Sequence, residues 1–193
     1  MAVNRRVLGI SITAAIAVSV VGGYALSRSN DTSTASDDVV LDTPGIEQIP
    51  AIGANANVEG VPLPIVDLVD NNGTVISTAD LIGQPLIINY WFSTCAPCKK
   101  ELPDFASVHA DLGDQIRFVG VNPVDTPEVN ESFAHDRGVR YELLRDPDGA
   151  FTDAVGIANA PVTLFIAADG TIVRQTASLD AATLRADALE LLP

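Results

Sequence analysis

NYWFSTCAPCKKELP, residues 89–103, contains both cysteines of this chain, Cys95 and Cys98. The apolar, β-rich run over residues 85–92 has the length and composition of a buried strand. Residues 96–112 predict a helix, because their apolar side chains recur on one face of a 3.6-residue period. Cys95 is therefore expected at the junction between a buried strand and the first turn of a helix.

The first turn of a helix is a favourable place for a thiolate. Unpaired backbone N–H groups and the positive end of the helix dipole would face Cys95 and lower its pKa. Cys98, one turn later, would lie beside it and be more deeply buried. Pro97 would stiffen the loop, and Lys99 and Lys100 would add positive charge. This arrangement suits thiol–disulfide exchange, in which one sulfur attacks a partner disulfide and the second resolves the mixed disulfide.

Other uses of the two cysteines fit the sequence less well. A structural disulfide across CxxC would close a very small loop, and a chain of 193 residues does not need such a staple to fold. Zinc would need four ligands, and His109 and His135 lack ligand-like spacing, so we interpret both as surface or boundary residues and expect no metal site. A peroxidatic cysteine would follow a Thr or Ser by three residues, and Phe92 stands there instead.

The amino-terminal segment predicts a membrane anchor. Arg5 and Arg6 precede residues 7–26, which carry no charge and match the roughly 20 residues that span a bilayer as a helix. The positive-inside rule then makes residues 1–6 a cytoplasmic stub and places the rest of this single-pass protein outside. A cleaved signal peptide and a twin-arginine export signal are the alternatives, and both also place the remainder outside the cytoplasm.

The rest of the chain divides into a linker and one domain. Residues 27–57, rich in Ser, Thr, Asp, Asn, Gly and Pro, are interpreted as a largely disordered linker, and residues 58–193 as the folded domain. The formal net charge is −14, and all 25 acidic residues follow residue 26. Such a surface repels nucleic acid, so we expect no nucleic-acid partner and interpret the acidity as an aid to solubility or an adaptation to salt.

Strand-like and helix-like runs alternate along the domain. A hairpin signal, ADG, joins the two runs of residues 161–176, and Asp180 is a candidate cap for a last helix over residues 180–192. The strand-like runs cover residues 64–70, 74–77, 85–92, 116–122, 141–146 and 161–176, and the remaining helices cover 96–112, 126–138 and about 150–155. This order predicts an α/β fold with a mixed central sheet and helices on both faces.

These residues resemble a known family. The stretch around the cysteines is similar to the motif of the TlpA/ResA/DsbE-like proteins, which are membrane-anchored bacterial thiol–disulfide oxidoreductases of the thioredoxin superfamily with a redoxin or AhpC/TSA-type domain. Asn89, Trp91 and Pro103 stand at positions typical of that family, and the segment from residue 159 to residue 173 resembles the one that contains its cis-proline, which would be Pro161. The resemblance covers about residues 58–193 and implies a thioredoxin fold.

The resemblance also implies roles for individual residues. Cys95 would be the nucleophile and Cys98 the resolving thiol of a redox-active disulfide, and Pro161 would orient the partner. Glu101 and Asn89 would tune proton transfer, since a carboxylate near the thiols raises their pKa and could relay a proton. Two alternatives stay open: Glu101 as an exposed helix residue that supports Lys99 or Lys100, and Asn89 as a hydrogen-bonded core amide.

The substrate groove is where the sequence departs from the family. Thr94 replaces the bulky residue that usually precedes the first cysteine, and Val162 replaces the threonine that usually follows the cis-proline. Both departures affect which substrate protein (the client) is bound more than they affect thiol–disulfide exchange. The residues expected to form the groove are Trp91, Thr94, Ala96, Pro97 and Ala160.

The sequence therefore predicts a membrane-tethered, outward-facing thiol–disulfide oxidoreductase, with a disulfide reductase favoured over an oxidase. It needs no dissociable cofactor, because the dithiol itself carries two electrons. The family implies a membrane electron donor of the DsbD/CcdA type and disulfide-bearing extracytoplasmic clients such as apocytochrome c. The alternatives are a peroxiredoxin-like antioxidant enzyme and a copper-binding assembly factor, although such factors usually separate their cysteines by three residues and add a distant histidine.

Overall fold

A computed structural model of the chain describes residues 53–193. The predicted anchor at residues 7–26 and most of the predicted linker lie outside this part of the chain, and within it no helix has the length and apolar character to cross a bilayer. The described elements, in chain order, are β1 (Asp67–Asp70), β2 (Val75–Ser77), a 3₁₀ turn (Thr78–Leu81), β3 (Leu86–Tyr90), α1 (Ala96–Leu112), β4 (Arg117–Asn122), α2 (Pro127–His135), β5 (Glu142–Arg145), α3 (Ala150–Val155), β6 (Val162–Ile166), β7 (Ile172–Thr176) and α4 (Ala181–Leu189).

The strands form one mixed sheet, which confirms the predicted α/β architecture. The seven strands lie in the order β2-β1-β5-β4-β3-β6-β7. β3 pairs in parallel with β4, and β4 with β5, whereas every other pairing is antiparallel. Because the carboxyl ends of parallel strands meet at the same edge of a sheet, the loop after β3 and the loop after β4 lie side by side. The first of these loops carries Cys95.

Helix α1 has the bounds that the sequence predicts. Cys95 is its N-cap residue, and Pro97 occupies the first turn, where a missing N–H leaves no intrahelical bond unmade. Pro103 lies inside the helix, which nevertheless continues to Leu112. The buried face of α1 consists of Cys98, Glu101, Leu102, Phe105, Val108 and Leu112. This face packs on the sheet and holds the segment after Cys95 in place.

Helices cover both faces of the sheet, as predicted. Side chains of α1, α2 and α4 join one buried cluster with Ile87 and Trp91. Side chains of α3 and the 3₁₀ turn join a second cluster with Leu86 and Ile88 on the opposite face. The alternation of side chains along β3 therefore divides its residues between two cores. Trp91 and both cysteines belong to the first cluster.

The sequence prediction misses some local structure. The predicted first strand at residues 64–70 begins only at Asp67, because the Thr78 side chain bonds to the Pro64 carbonyl at 2.7 Å and accepts the Val66 N–H at 2.9 Å. The 3₁₀ turn that holds Thr78 was not predicted. The last helix ends at Leu189 rather than at residue 192, although Asp180 caps it as expected.

Candidate active site

Cys95 and Cys98 form a disulfide at the N-terminus of α1. The Cys98 N–H donates to the Cys95 Sγ at 3.3 Å, so the first sulfur caps the helix. Cys95 is 6% exposed and Cys98 is fully buried, in the order that the sequence predicts. An incoming sulfur can therefore approach Cys95 but not Cys98. The helix end would stabilise a thiolate on Cys95 once the disulfide is reduced.

A buried carboxylate lies on the same side of the helix as Cys98. Glu101 follows Cys98 by three residues, which places the two side chains next to each other on α1. Glu101 is 1% exposed, so the interpretation of Glu101 as an exposed residue that supports Lys99 or Lys100 is wrong. Burial raises the pKa of Glu101 to about 7, although hydrogen bonds from Asn89, the Leu179 N–H and Ser178 act in the opposite direction.

Asn89 is the buried partner of this carboxylate. Its Nδ2 donates to the Glu101 Oε1 at 3.1 Å, and the Leu179 N–H donates to the Oε2 at 3.3 Å. Asn89 is in register with Gly120 on β4 and with Thr163 on β6, which places it near the middle of the sheet. Asn89 is therefore a hydrogen-bonded core amide, which is one of the two interpretations from the sequence. A role of Asn89 in proton transfer remains a prediction.

Pro161 lies at the start of β6, next to the strand that leads to Cys95. The Ala160–Pro161 peptide bond is cis, as the resemblance implies. Val162, which follows it, pairs with Tyr90 at the end of β3. Pro161 is buried, and Ala160 packs against the cluster that contains both cysteines.

An open pocket of about 450 Å³ lies beside Cys95. Thr94, Pro97 and Ala160 line it, as the expected groove requires. Ala96 is exposed but does not belong to this lining. The placement of Trp91 in the groove is wrong, because Trp91 is fully buried. The complete lining consists of Tyr90, Phe92, Thr94, Cys95, Pro97, Thr152, Ile157, Ala158, Asn159 and Ala160, none of which is charged.

The pocket has a polar floor that was not predicted from the sequence. The Tyr90 hydroxyl lies 2.8 Å from the Thr152 Oγ1, and the Thr152 hydroxyl donates to the Asp146 Oδ2 at 2.7 Å. Asp146 also accepts the Phe151 and Thr152 N–H groups at the start of α3. The sequence holds one signal for these bonds: Asp146 ends a predicted strand shortly before a predicted helix, and Asp is a residue type that caps helix N-termini.

A second set of contacts at the site was also missed. Asp125, in the loop after β4, accepts the Ser93 N–H at 2.7 Å and the Ser93 hydroxyl at 2.6 Å. Ser93 precedes Cys95 by two residues. Parallel pairing of β3 and β4 brings these two loops together, so a predicted strand order could have suggested a contact between them. The residue types Ser and Asp alone do not indicate that contact.

The two histidines lie apart from this site. His109 is half-buried on α1, and its ring packs edge-on against those of Phe118 and Tyr141. His135 is exposed at the end of α2. Across residues 53–193, no cluster of three or more His, Cys, Asp or Glu side chains has an arrangement that could hold a metal ion.

Comparisons with known proteins find a family and several relatives. Residues 59–175 match the AhpC/TSA family. The thiol-disulfide oxidoreductase ResA of Bacillus subtilis is 32% identical over 117 residues, which are 60% of this chain and 65% of that protein. The thiol:disulfide interchange protein HelX of Rhodobacter capsulatus is 32% identical over 96 residues, 49% of this chain and 53% of its own length. The matched part of the chain thus spans less than two thirds of either relative.

A solved structure confirms the fold. The thiol:disulfide interchange protein, thioredoxin family protein from Chlorobium tepidum superposes with a TM-score of 0.60 over 72% of this chain and 100% of its own chain. Its sequence is 23% identical, so the likeness concerns the fold alone. The described residues have the thioredoxin-like α/β fold that the sequence predicts.

Proposed function

The chain belongs to the AhpC/TSA family, and from this premise we propose that it is a thiol–disulfide oxidoreductase that works through Cys95 and Cys98. One observation carries the proposal: the two cysteines are joined at a helix N-terminus, with Cys95 lining a pocket and Cys98 fully buried, one helical turn before a buried carboxylate. The relatives named above carry the same activity in their names. The sequence around the cysteines also resembles that of the TlpA/ResA/DsbE-like thiol–disulfide oxidoreductases, which supports the same activity.

The reaction starts from the reduced pair. The Cys95 thiolate attacks one sulfur of a client disulfide, so that a bond between Cys95 and the client forms while the client disulfide breaks and releases a client thiolate. Cys98 then loses its proton and attacks the Cys95 sulfur, which forms the Cys95–Cys98 disulfide and releases the second client thiolate. The two client thiolates take protons from water. Two electrons pass from the protein to the client.

Glu101 accepts the proton of Cys98 in this proposal. Burial raises the pKa of Glu101 to about 7, so its carboxyl can both take and return a proton near neutral pH. The Asn89 amide holds the Glu101 side chain by its Oε1. Pro161, beside the pocket that Cys95 lines, orients the client backbone. Thr94, Pro97 and Ala160 contact the client residues that flank its disulfide.

The direction that we propose is reduction of disulfide-bearing extracytoplasmic proteins, in cytochrome c maturation or general thiol homeostasis. A membrane protein of the DsbD/CcdA type would return electrons to the Cys95–Cys98 disulfide. The uncharged segment at residues 7–26, preceded by Arg5 and Arg6, supports a single membrane anchor with a cytoplasmic N-terminus. Such an anchor would hold the domain near its electron donor.

A trapping experiment tests the proposed exchange. Without Cys98 the mixed disulfide cannot be resolved, so Cys98→Ala should accumulate covalent adducts between Cys95 and client proteins, visible by non-reducing electrophoresis and mass spectrometry. Cys95→Ala is the matched control and should form few adducts, because Cys98 is buried. Absence of adducts in both variants would show that the exchange mechanism is wrong.

A further inference from the structure

One carboxylate outside the cysteine helix holds the loop that carries Cys95. Asp125 accepts two hydrogen bonds from Ser93, one from its backbone N–H at 2.7 Å and one from its hydroxyl at 2.6 Å. The two residues lie 32 positions apart in sequence. We call this pair of bonds the Ser93–Asp125 clasp. It joins the loop after β3 to the loop after β4.

The Asp125 end of the clasp is itself fixed. Asn122, fully buried at the end of β4, donates from its Nδ2 to the Asp125 Oδ2 at 2.7 Å. The Asn122 Oδ1 in turn accepts the Asp125 N–H at 2.9 Å and the Val124 N–H at 3.0 Å. Thr126 then caps α2. The carboxylate is thus bonded to a buried residue at the end of β4, and its own residue lies directly before the cap of α2, so it can act as a rigid support for Ser93.

The Ser93 end lies close to the reactive sulfur. Trp91 still pairs with β4 through its N–H and the Val121 carbonyl at 3.1 Å, and the Cys95 N–H bonds to the Phe92 carbonyl at 3.1 Å. Thr94, between Ser93 and Cys95, is exposed. The clasp therefore falls between the last sheet contact of this segment and the first residue of the helix cap. Its loss would free the residues that place the Cys95 sulfur.

We propose that Asp125 is a positioning residue of the redox site, which acts through Ser93 to hold Cys95 in the geometry for in-line attack on a disulfide. The inference rests on the proposed exchange function. A displacement of about 1 Å can slow an oriented reaction by about a hundredfold. The clasp consists of two bonds in a partly exposed loop, so we expect a loss nearer to tenfold.

The test measures the reaction of the reduced protein with hydroxyethyl disulfide, a small neutral probe. Rates over a range of pH give the rate constant of the Cys95 thiolate alone, which removes any change in thiol pKa from the comparison. Ser93→Ala and Asp125→Asn should each lower this constant about tenfold. Ser93→Thr keeps the hydroxyl and should stay within about twofold of the unmodified protein. The double variant should lose less than the product of the two single losses, because both changes break one interaction.

A matched control separates positioning from stability. Asp70, the last residue of β1, is also an aspartate that accepts backbone N–H groups, those of Asn72 and Thr74 in the turn between β1 and β2. Asp70→Asn should lower the denaturation midpoint and leave the thiolate rate constant unchanged. If Asp125→Asn and Ser93→Ala behave in the same way as Asp70→Asn, the proposal is overturned.

The outcomes for the clasp and for the proposed function are distinct. Reaction with the probe but no adduct with any client protein would remove the proposed function and leave the clasp result standing. Client exchange at unmodified rates in the clasp variants would remove the clasp proposal alone. A reduced protein that does not react with the probe would contradict both.

Discussion

Two carboxylates are equally buried in this domain, and they differ in what surrounds them. Asp146 and Glu101 are each 1% exposed. Asp146 precedes α3 and accepts three hydrogen bonds, from the Phe151 N–H at 3.1 Å, the Thr152 N–H at 2.9 Å and the Thr152 hydroxyl at 2.7 Å. Glu101, inside α1, accepts a hydrogen bond from Asn89 at 3.1 Å and one from the Leu179 N–H at 3.3 Å, and the Ser178 side chain is its third donor.

The difference teaches that burial alone does not mark a working carboxylate. The donors around Asp146 compensate the loss of water and hold the start of a helix. The donors around Glu101 compensate it incompletely, and the pKa of Glu101 stays near 7 because desolvation dominates. We therefore expect substitution of Asp146 to affect stability and substitution of Glu101 to affect proton transfer.

The largest expected effect is on the resolving step. Glu101→Gln removes the group that we propose accepts the Cys98 proton, and loss of a general base typically slows a step by about 10²–10⁴-fold. We expect about a hundredfold slower release of a peptide thiol from the preformed Cys95 mixed disulfide at pH 8, followed by stopped-flow mixing. Asp146→Asn should change this rate less than about threefold. Equal losses of the resolving rate in the two variants would contradict a special role of Glu101 in proton transfer.

The next effect is on stability. Asp146→Asn places an amide NH₂ against N–H donors and removes a charged acceptor, and a hydrogen bond to a charged group contributes about 1.5–3 kcal/mol. We expect the free energy of unfolding of the oxidised protein to fall by about 3 kcal/mol, measured with urea at pH 8. Glu101→Gln should not lower it at that pH. A larger loss of unfolding free energy in Glu101→Gln than in Asp146→Asn would contradict the assignment of the structural role to Asp146.

A pH series sharpens the same contrast. The pKa of Glu101 rises from an unfolded value near 4.5 to about 7 on folding. Below pH 4.5 the carboxyl is protonated in both states and contributes nothing. Between these values the unfolded chain releases a proton that the folded protein retains, so stability falls as pH rises, and above pH 7 the penalty is constant. The oxidised protein should lose about 2 kcal/mol relative to Glu101→Gln between pH 5 and pH 7. Parallel stability curves for the two proteins would contradict the raised pKa.

The smallest expected effect is a shift in a pH profile. The hydrogen bond from Asn89 lowers the pKa of Glu101, so Asn89→Ala should move the midpoint of the pH–rate profile of the resolving step upward. Thr163→Val is the control. Thr163 pairs with Asn89 in the sheet register and is fully buried, but it is not among the groups that shift the pKa of Glu101. An equal shift in both variants would mean that general disturbance of the sheet moves the midpoint.

Much of the fold follows from local patterns in the sequence. Helix α1 has its predicted bounds because a capping cysteine, a first-turn proline and a periodic apolar face agree with each other. The mixed sheet follows from the order of strand-like and helix-like runs. The 3₁₀ turn was missed because it depends on Thr78, which bonds to a segment more than ten residues earlier, and no local period records such a contact.

The site could be predicted in part. The cysteine pair, Glu101 and Pro161 follow from motif positions, but the burial of Glu101 depends on the segment at Leu179, 78 residues away. Trp91 was assigned to the groove because it matches the family's aromatic residue before the first cysteine. Directly after β3, it continues the alternation of that strand and turns into the core, where its ring stacks on that of Phe133 at 5.8 Å. The Ser93–Asp125 contact depends on how β3 and β4 are paired, which residue types alone do not reveal.

Competition between two oxidants tests the central claim, that Cys95 and Cys98 exchange electrons with disulfides. The reduced protein is mixed with a neutral peptide disulfide and hydrogen peroxide at equal concentrations, and the products are followed by mass spectrometry. The account predicts that peptide thiols appear, two for each Cys95–Cys98 disulfide formed, while peroxide is hardly consumed. Consumption of peroxide with the peptide disulfide left intact would contradict it and favour a peroxiredoxin-like enzyme.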